Sequence, residues 1–187
     1  MKRIANKVGI TGKVCSGKSE CARYLESLGY RRVCADTIGK AITLSMKDEL
    51  VSAFGDEVSD KGKLSLDKLR SFVFSSQEIW EEFNSIVHPP LLSRLREELD
   101  RGGKVVVDAA LIPYWGIEDW FDLVIGVFAP LDVRLERWLR RGKERELFFM
   151  IDTLQVPPSE HKVCRVENSG GLEDLYKSIL YCIGLTD

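Results

Sequence analysis

The sequence predicts an α/β fold in which a five-stranded parallel sheet is covered by helices on both faces. Five short runs are apolar at successive positions, as expected of strands that are buried on both faces of a parallel sheet. They are Val8–Thr11, Arg32–Ala35, Val105–Val107, Leu123–Phe128 and Val163–Val166. Helical patterns lie between these runs, and such alternation favours parallel strands joined by helical crossovers. Ligands of these sheets bind at the carboxyl ends of the strands.

Three sets of apolar residues recur at helical spacing, and each set predicts a helix with one stripe facing the core. The first set ends at Gly29, the second follows Pro130 and the third follows Gly170. Their members are Cys21, Ala22, Leu25 and Leu28; Leu131, Leu135, Trp138 and Leu139; and Leu172, Leu175, Tyr176, Ile179, Leu180 and Ile183. Strand and helix therefore alternate at both ends of the chain.

The middle of the chain, from Thr37 to Arg101, shows helical patterns and turns but no convincing strand. Gly55 and the run Asp60-Lys61-Gly62 interrupt the helical patterns. Pro89-Pro90 predicts a helix start, because proline fits the first helical position. We interpret this region as a helical insertion in the sheet.

Length and charge limit the domain organisation and the partners. A chain of 187 residues with 44% apolar and 30% charged residues is long enough for one substantial core, so we predict a single domain. Its core covers about 1–36 and 103–187, and the insertion covers about 37–102. The net charge of −2 gives no overall attraction to nucleic acid or to an anionic membrane. We therefore expect small-molecule partners, no nucleic acid and no membrane. The sequence leaves the oligomeric state open, with a monomer favoured.

Cysteine content and hydropathy predict the compartment. The five cysteines show no paired short spacing, and no apolar signal segment follows the first three residues. The longest apolar region, Val105–Trp115, is interrupted by Asp108 and Pro113 and is too short to span a bilayer. These features predict a reduced, cytoplasmic protein.

The strongest chemical signal lies at the end of the first predicted strand. The run from Gly12 to Ser19 matches Gly-x-x-x-x-Gly-Lys-Ser/Thr, follows an apolar strand and opens an amphipathic helix, which is the context that this phosphate-binding loop requires. Backbone N–H groups of such a loop and the positive end of the helix dipole face the phosphates of a nucleotide. We expect Lys18 to neutralise the β- and γ-phosphate oxygens and Ser19 to ligate Mg²⁺. The predicted nucleotide-binding residues of the loop are Gly12, Lys13, Val14, Cys15, Ser16, Gly17, Lys18 and Ser19.

Two acidic residues follow predicted strands at the ligand-binding edge of the sheet. Asp36 comes after the second strand, where it could orient or deprotonate an acceptor hydroxyl, although an aspartate there could equally serve as a helix N-cap. Asp108 ends the run Lys104–Val107, and an acid at this position of a phosphate-binding-loop protein typically holds a magnesium-bound water. A solvated strand end is the alternative for Asp108.

A cluster of cations lies on and beyond the helix that follows the fourth strand. In phosphoryl transfer such side chains neutralise the charge that develops on the transferred group. Most of a charge run is ordinarily a solvated helix face, so we expect only one or two members to touch phosphate. Arg141, at the helix end, is the first candidate. The cluster comprises Arg134, Arg137, Arg140, Arg141, Lys143 and Arg145.

The order of the motifs resembles the bacterial dephospho-coenzyme A kinase family over nearly the whole chain. Ala35-Asp36 with Ile38 is similar to the Asp-Ala-Asp-x-Ile element of that family, Val87-His88-Pro89 to its His-Pro signature, and the run Asp108–Ile112 to its Asp-x-Pro-Leu-Leu. Further matches are Arg137 and Arg141 to the arginines before its lid, Gln155 to its lid glutamine, and Asn168 to the asparagine after its last strand.

The resemblance implies a kinase fold of the phosphate-binding-loop type and a complete reaction. ATP with Mg²⁺ would phosphorylate the 3′-hydroxyl of dephospho-CoA, with Lys18, Asp36 and Arg141 as catalytic residues. Asp36, His88 and Arg137 would bind substrate, Asn168 would lie at the nucleotide, and Ser19 and Asp108 would hold the metal. The insertion would hold the CoA moiety, and about 142–160 would form the lid.

The chain departs from the family pattern at several positions. Lys13 and Cys15 replace glycines of the loop, Ala110 replaces a proline, and the region of Tyr114 lacks an acid. The alternatives are therefore another small-molecule kinase, acting on a nucleoside, shikimate or a sugar acid, and a non-catalytic nucleotide-binding module or switch. Asp36-Thr37-Ile38-Gly39 fits a short switch pattern, but no Asn-Lys-x-Asp motif follows.

Overall fold

The computed structural model describes residues 4–159 and 163–185. The strands are β1 (Lys7–Thr11), β2 (Arg31–Cys34), β3 (Ser59–Asp60), β4 (Lys63–Leu64), β5 (Val105–Asp108), β6 (Leu123–Phe128) and β7 (Cys164–Glu167). The helices are α1 (Lys18–Ser27), α2 (Ala35–Ser45), α3 (Lys47–Phe54), α4 (Leu66–Val73), α5 (Gln77–Asp100), α6 (Ile112–Trp115), α7 (Leu131–Leu139), α8 (Arg145–Leu154) and α9 (Leu172–Ile183). Short 3₁₀ turns cover Gly55–Glu57 and Glu118–Trp120.

Five of the strands form one parallel sheet in the order β2-β5-β1-β6-β7. β1 lies at the centre, where Val8 is paired with Val106 of β5 and with Leu123 of β6. The predicted parallel sheet is confirmed, and each of its strands begins within one residue of the predicted position. The carboxyl ends of β1, β5 and β6 meet at one edge of this sheet, and the loop after β1 therefore lies among them.

Alternation along the strands separates the two faces of the sheet. Val8 and Ile10 of β1 belong to a buried cluster that includes Leu25 of α1 and Ile179 of α9. Gly9 points the other way, and a Cβ there would lie 3.0 Å from the side chain of Ile112. Full burial of a Leu or Ile side chain contributes about 1.5–3 kcal/mol, so this cluster fixes α1 against the sheet.

The chain divides into two compact units. The first comprises residues 1–34 and 98–187 and contains the parallel sheet, and the second comprises residues 35–97. Within the second unit, β3 and β4 form an antiparallel hairpin with Ser59 opposite Leu64. No strand was expected here, so that prediction was wrong. Two-residue strands are too short to show a period, and the turn residues Lys61 and Gly62 both have positive φ, as in a tight hairpin turn.

The sequence pattern predicted that the prolines of α5 start a helix, and that prediction was wrong. The helix begins at Gln77, preceded by Ser76, whose hydroxyl accepts a hydrogen bond from the N–H of Ile79 at 3.3 Å. Pro89 and Pro90 lie in the interior of the helix. Neither proline has an N–H to donate to the carbonyl one turn before it, and the missing hydrogen bonds destabilise the helix locally. A stripe of buried side chains four residues apart, Val87, Leu91 and Leu95, continues across the prolines and holds the helix together.

A disulfide contradicts the prediction that all cysteines are reduced. Cys164 of β7 is bonded to Cys182 of α9, with their Cα atoms 5.9 Å apart. Because 18 residues separate the two cysteines, the sequence offered no short spacing from which to predict the pair. Cys15, Cys21 and Cys34 are free thiols. Among the described residues, no helix is both long and apolar enough to cross a membrane.

Candidate active site

The loop between β1 and α1 has a backbone that only glycine fits at two positions. Gly12 has a φ of 147°, and a Cβ there would lie 2.3 Å from the carbonyl oxygen of Val127. Gly17 precedes α1 with a φ of 105°, and a Cβ there would lie 1.9 Å from the side-chain nitrogen of Asn168. Both contacts are far inside van der Waals distance, so a larger residue would displace the loop. The glycines of the motif are therefore required by close packing of the loop against β6 and the end of β7.

The remaining loop residues form a compact turn. The N–H of Ser16 donates to the carbonyl of Lys13 at 3.1 Å, and Nζ of Lys18 donates to the same carbonyl at 3.2 Å. Cys15 has a φ of 59°, which is the left-handed conformation that a non-glycine residue adopts at a cost. The hydroxyl of Ser16 is buried and makes no hydrogen bond with any described residue. Lys18 and Ser19 form the first turn of α1, directly after the loop.

Asn168 supports the loop through hydrogen bonds. It follows β7, and its N–H donates to the carbonyl of Phe128 at 2.7 Å, which continues the pairing between β6 and β7. Its Nδ2 donates to the carbonyl of Ser16 at 2.7 Å, and its own carbonyl accepts from Nη2 of Arg137 at 2.8 Å. Asn168 is buried, so these contacts replace water at its backbone N–H, its backbone carbonyl and its side-chain nitrogen. The structure thus brings Asn168 to the predicted loop, in contact with its backbone.

Two arginines of the predicted cluster, Arg137 and Arg134, hydrogen-bond to the loop. Nη1 of Arg137 donates to the carbonyl of Cys15 at 3.3 Å. Arg134 lies one turn earlier on α7 and donates from Nη1 to the carbonyl of Val14 at 3.4 Å and from Nε to that of Ala129 at 3.1 Å. Arg141 lies in the turn after α7, and its side chain is exposed.

Helix α8 and its C-cap residue each contact the same loop. Asp152 accepts hydrogen bonds from Arg134 at 2.5 Å and from Nζ of Lys13 at 3.3 Å, and its carbonyl accepts from Lys13 at 3.0 Å. Oε1 of Gln155 accepts from the N–H of Val14 at 2.6 Å. Sequence reasoning did not select Asp152. A single acid within the apolar run Leu147–Leu154 was the available signal, since such an acid requires a partner when it is buried.

Asp108 is buried at the end of β5 and is paired with a cation. Its Oδ2 accepts a hydrogen bond from Nη2 of Arg32 on β2 at 3.2 Å, whereas the buried Nε of Arg32 has no hydrogen-bond partner among the described residues. Asp108 lies opposite Ile10 of β1, one residue before the strand end that leads into the loop. Sequence reasoning also missed Arg32. The only signal was a second arginine within an otherwise apolar strand.

Cys21 is an inert thiol on the buried face of α1. Burial, helped by the negative charge of Asp108, raises the pKa of Cys21 to about 12. The thiolate is therefore not populated at neutral pH, and Cys21 serves as a core residue.

Asp36 and His88 both belong to the second unit. Asp36 is exposed in the first turn of α2, which begins at Ala35, so it lies inside the helix rather than at the N-cap position weighed above. His88 is partly buried on α5 and meets the ring of Trp80 edge to face, with their centroids 6.5 Å apart. Burial lowers the pKa of His88 to about 4. The imidazole is therefore neutral at neutral pH.

Described residues of the predicted lid, about 142–160, include α8, and Glu160 lies outside the described residues. In the part of the chain that the structure describes, no group of three or more His, Cys, Asp or Glu side chains could hold a metal ion. Any metal site here would therefore use few protein ligands, as is usual for Mg²⁺ bound to a nucleotide.

Comparison with known proteins agrees with this arrangement. Residues 6–173 match the family model of dephospho-CoA kinase. The dephospho-CoA kinase of Fusobacterium nucleatum is 32% identical over 182 residues, which is 92% of this chain and 94% of that protein. The crystal structure of TT1252 from Thermus thermophilus superposes with a TM-score of 0.79 at 32% identity, covering 96% of this chain and 97% of that one.

A more distant structure shows only the shared architecture. A gluconokinase from Sinorhizobium meliloti gives a TM-score of 0.60 at 16% identity and covers 98% of this chain and 94% of its own. The common fold is the phosphate-binding-loop kinase fold predicted above. Because the family model matches most of the chain, and a relative of 32% identity is covered almost completely, this chain belongs to the dephospho-CoA kinase family.

Proposed function

We propose that this protein transfers the γ-phosphoryl group of ATP to the 3′-hydroxyl of dephospho-CoA, which is the last step of coenzyme A biosynthesis. Membership of the family makes it an ATP-dependent phosphotransferase. The observation that carries the proposal is the loop from Gly12 to Ser19, whose glycines fit closely against Val127 and Asn168 within a family match that spans 6–173. Kinases of this type act by positioning and by electrostatic stabilisation, so the charges around the loop decide the chemistry.

The loop supplies the phosphate contacts. Its backbone N–H groups and the start of α1 present positive potential to the phosphates, and Lys18 adds a full charge. Lys18 rests on the carbonyl of Lys13 and can reach oxygens in front of the loop by rotating its flexible side chain. Arg137 fixes the loop from the side of α7, and Arg141, exposed at the end of that helix, can fold over the transferred group.

Mg²⁺ fits the donor set that the chain offers. The hydroxyl of Ser19 and the carboxylate of Asp108 are oxygen donors, which this ion prefers, and the ion keeps several waters in nucleotide sites. We assign Ser19 as a ligand and Asp108 as the residue that holds a metal-bound water. When bound, Mg²⁺ neutralises charge on the phosphate oxygens. Arg32 donates to Asp108 at 3.2 Å, so a cation on the neighbouring strand helps to hold this carboxylate in place.

The acceptor contacts are assigned to the second unit. Asp36 orients the 3′-hydroxyl and accepts its proton, and it lies in the first turn of α2. His88 binds the CoA moiety as a neutral imidazole, which offers one donor and one acceptor without adding charge. Both assignments rest on the family match together with the positions of these residues on α2 and α5.

We further propose a monomeric protein located in the cytoplasm, where dephospho-CoA is made into CoA. The disulfide between Cys164 and Cys182 runs against this location, because cytoplasmic thiols are kept reduced. A thiol count on protein purified without reductant tests the pairing: three free thiols are expected if the disulfide is present, and five if it is not.

The experiment that tests the function is ADP release from Mg-ATP by the purified protein. Dephospho-CoA, adenosine, shikimate, gluconate and no acceptor are compared, and the product is identified as CoA by chromatography. Turnover that depends on dephospho-CoA supports the proposal. Nucleotide binding without any response to dephospho-CoA contradicts it. The variant Lys18→Ala provides the control, since a contaminating kinase would not respond to it.

A further inference from the structure

Asp152 on α8 forms ion pairs with two cations at the phosphate-binding loop, and no other carboxylate of the described residues does so there. One oxygen accepts from Arg134 at 2.5 Å, and the other lies 3.3 Å from Nζ of Lys13. The side chains of Asp152 and Arg134 are 15% and 8% exposed, and that of Lys13 is 28% exposed. Charge pairs shielded to this degree interact more strongly than surface pairs, so the cluster fixes three side chains.

Of these three residues, one belongs to the loop and a second contacts its backbone. Lys13 is the first residue after Gly12, and Arg134 also donates to the carbonyl of Val14. Gln155, one helical turn after Asp152, accepts from the N–H of Val14 at 2.6 Å. Helix α8 and its C-cap residue therefore hold the first half of the loop through a carboxylate and an amide, and Lys18 donates to the carbonyl of Lys13 in the same half.

The charges of the cluster leave room for a second anion. Two cations share one carboxylate, so the group carries a net positive charge beside a loop whose ligand is a polyphosphate. A terminal phosphate can take Lys13 without leaving a buried acid unpaired, since Arg134 stays with Asp152. The flexible stem of lysine permits such an exchange more readily than arginine does.

We propose that Asp152 is a positioning residue that keeps Lys13 and Arg134 aimed at the loop and yields Lys13 to the terminal phosphate of ATP. The proposal rests on the proposed function, because it assumes that a nucleoside triphosphate occupies the loop. Asp152 touches neither substrate. It acts through Lys13, which becomes a second phosphate-binding cation beside Lys18, and it couples α8 to the nucleotide that the loop carries.

The inference predicts opposite effects on binding and on turnover. In Asp152→Asn, Lys13 is no longer held by a negative charge and is available to phosphate in the ground state, so ATP should bind about three- to tenfold more tightly. ADP lacks the terminal phosphate and should change much less. The value of kcat should fall, because α8 is released from the loop and the cations lose their fixed geometry. A merely structural role would weaken ATP and ADP alike.

The experiment measures equilibrium binding of ATP and ADP by titration calorimetry on the full chain, with kcat and KM for ATP measured alongside. The variants are Asp152→Asn, Lys13→Met and the double variant. Glu146→Gln, an exposed acid in the first turn of the same helix, controls for the change in net charge. Lys13→Met should weaken ATP more than ADP, and the double variant should show no tightening by Asp152→Asn.

Two results would overturn the proposal. One is an equal change in ATP and ADP affinity in Asp152→Asn. The other is an unchanged ATP-to-ADP ratio in Lys13→Met, which decides the matter even where Asp152→Asn fails to fold. Because both readouts are binding constants without acceptor, they remain valid where dephospho-CoA is not phosphorylated. Failure of the proposed function and failure of this inference are therefore separate outcomes.

Discussion

Nδ2 of Asn168 donates a hydrogen bond to the carbonyl of Ser16 at 2.7 Å, across 152 residues of sequence. The same amide nitrogen would lie 1.9 Å from a Cβ placed on Gly17. The end of β7 and the loop after β1 are therefore built against each other. The loop keeps its shape because a buried side chain occupies the space that any residue larger than glycine would need at position 17.

Removing this brace should cost stability and nucleotide affinity together. In Asn168→Ala the carbonyl of Ser16 loses its buried donor, and an unsatisfied buried group costs about 1–3 kcal/mol. We expect the free energy of unfolding to fall by this amount in denaturant titrations, and ATP to bind more weakly. Asn6→Ala, at an exposed asparagine, is the matched control. Equal stability of the two variants would show that the contact does not support the loop.

The positive φ of Cys15 predicts that glycine is better tolerated there than cysteine. A non-glycine residue in the left-handed conformation costs about 1 kcal/mol, and glycine pays no such cost. Cys15→Gly should therefore raise the free energy of unfolding by up to about 0.5 kcal/mol, after the greater entropy of glycine in the unfolded chain is deducted. Cys34→Gly, the same change within β2, should lower it. A loss of stability in both variants would contradict the prediction.

The disulfide between Cys164 and Cys182 should stabilise the fold by restricting the unfolded chain. For a closed loop of 18 residues the expected contribution is about 3 kcal/mol. The double variant Cys164→Ala with Cys182→Ala should lose this amount relative to the oxidised protein. Adding reductant should lower the stability of the original protein and leave the double variant unchanged. A reductant effect of equal size on both would assign it to something other than this bond.

Because His88 is buried as a neutral imidazole, the free energy of unfolding should fall as the pH is lowered. Its pKa is about 4 in the folded protein and near 6.5 in the unfolded chain, so the unfolded state binds more protons between these values. The stabilising contribution of the neutral imidazole is fully present above pH 6.5 and is lost as the pH falls towards 4, and about 2 kcal/mol of it is lost between pH 7 and pH 5. His88→Gln should remove this part of the slope in unfolding titrations at pH 7 and pH 5. The chain has one other histidine, His161, and His161→Gln serves as the control.

Asp36 can be tested against a residue with the same helical position. Asp36 is the second residue of α2, and Asp48 is the second residue of α3, so loss of either charge removes a similar interaction with a helix dipole. We expect Asp36→Asn to lower kcat about a hundredfold or more while ATP affinity changes little, because its interaction belongs to the transition state. Asp48→Asn should leave kcat unchanged. A near-normal kcat in Asp36→Asn would leave only its effect on α2.

The sheet and the loop could be predicted from local patterns in the sequence. The strands, the loop from Gly12 to Ser19 and α1 are each specified by neighbours in sequence, through apolar runs, glycine positions and helical spacing. The pairs Arg32–Asp108 and Arg134–Asp152 depend on which strands and helices become neighbours, and no spacing rule encodes that. The interior prolines of α5 were misinterpreted for a related reason, since burial of Val87 and Leu91 outweighed the local cost.

The strand order has a consequence for synthesis on the ribosome. β1 and β2 are made first, yet neither pairs with the other, and their common neighbour is β5, which begins at Val105. A nascent chain of about the first hundred residues therefore cannot form any part of the parallel sheet, and sheets built from such distant pairs fold slowly. The loop is completed later still, because Asn168, which hydrogen-bonds to it, follows β7 and is made after all five strands of the sheet. A nascent chain that has not yet reached Asn168 thus lacks the contact that holds the loop in its shape.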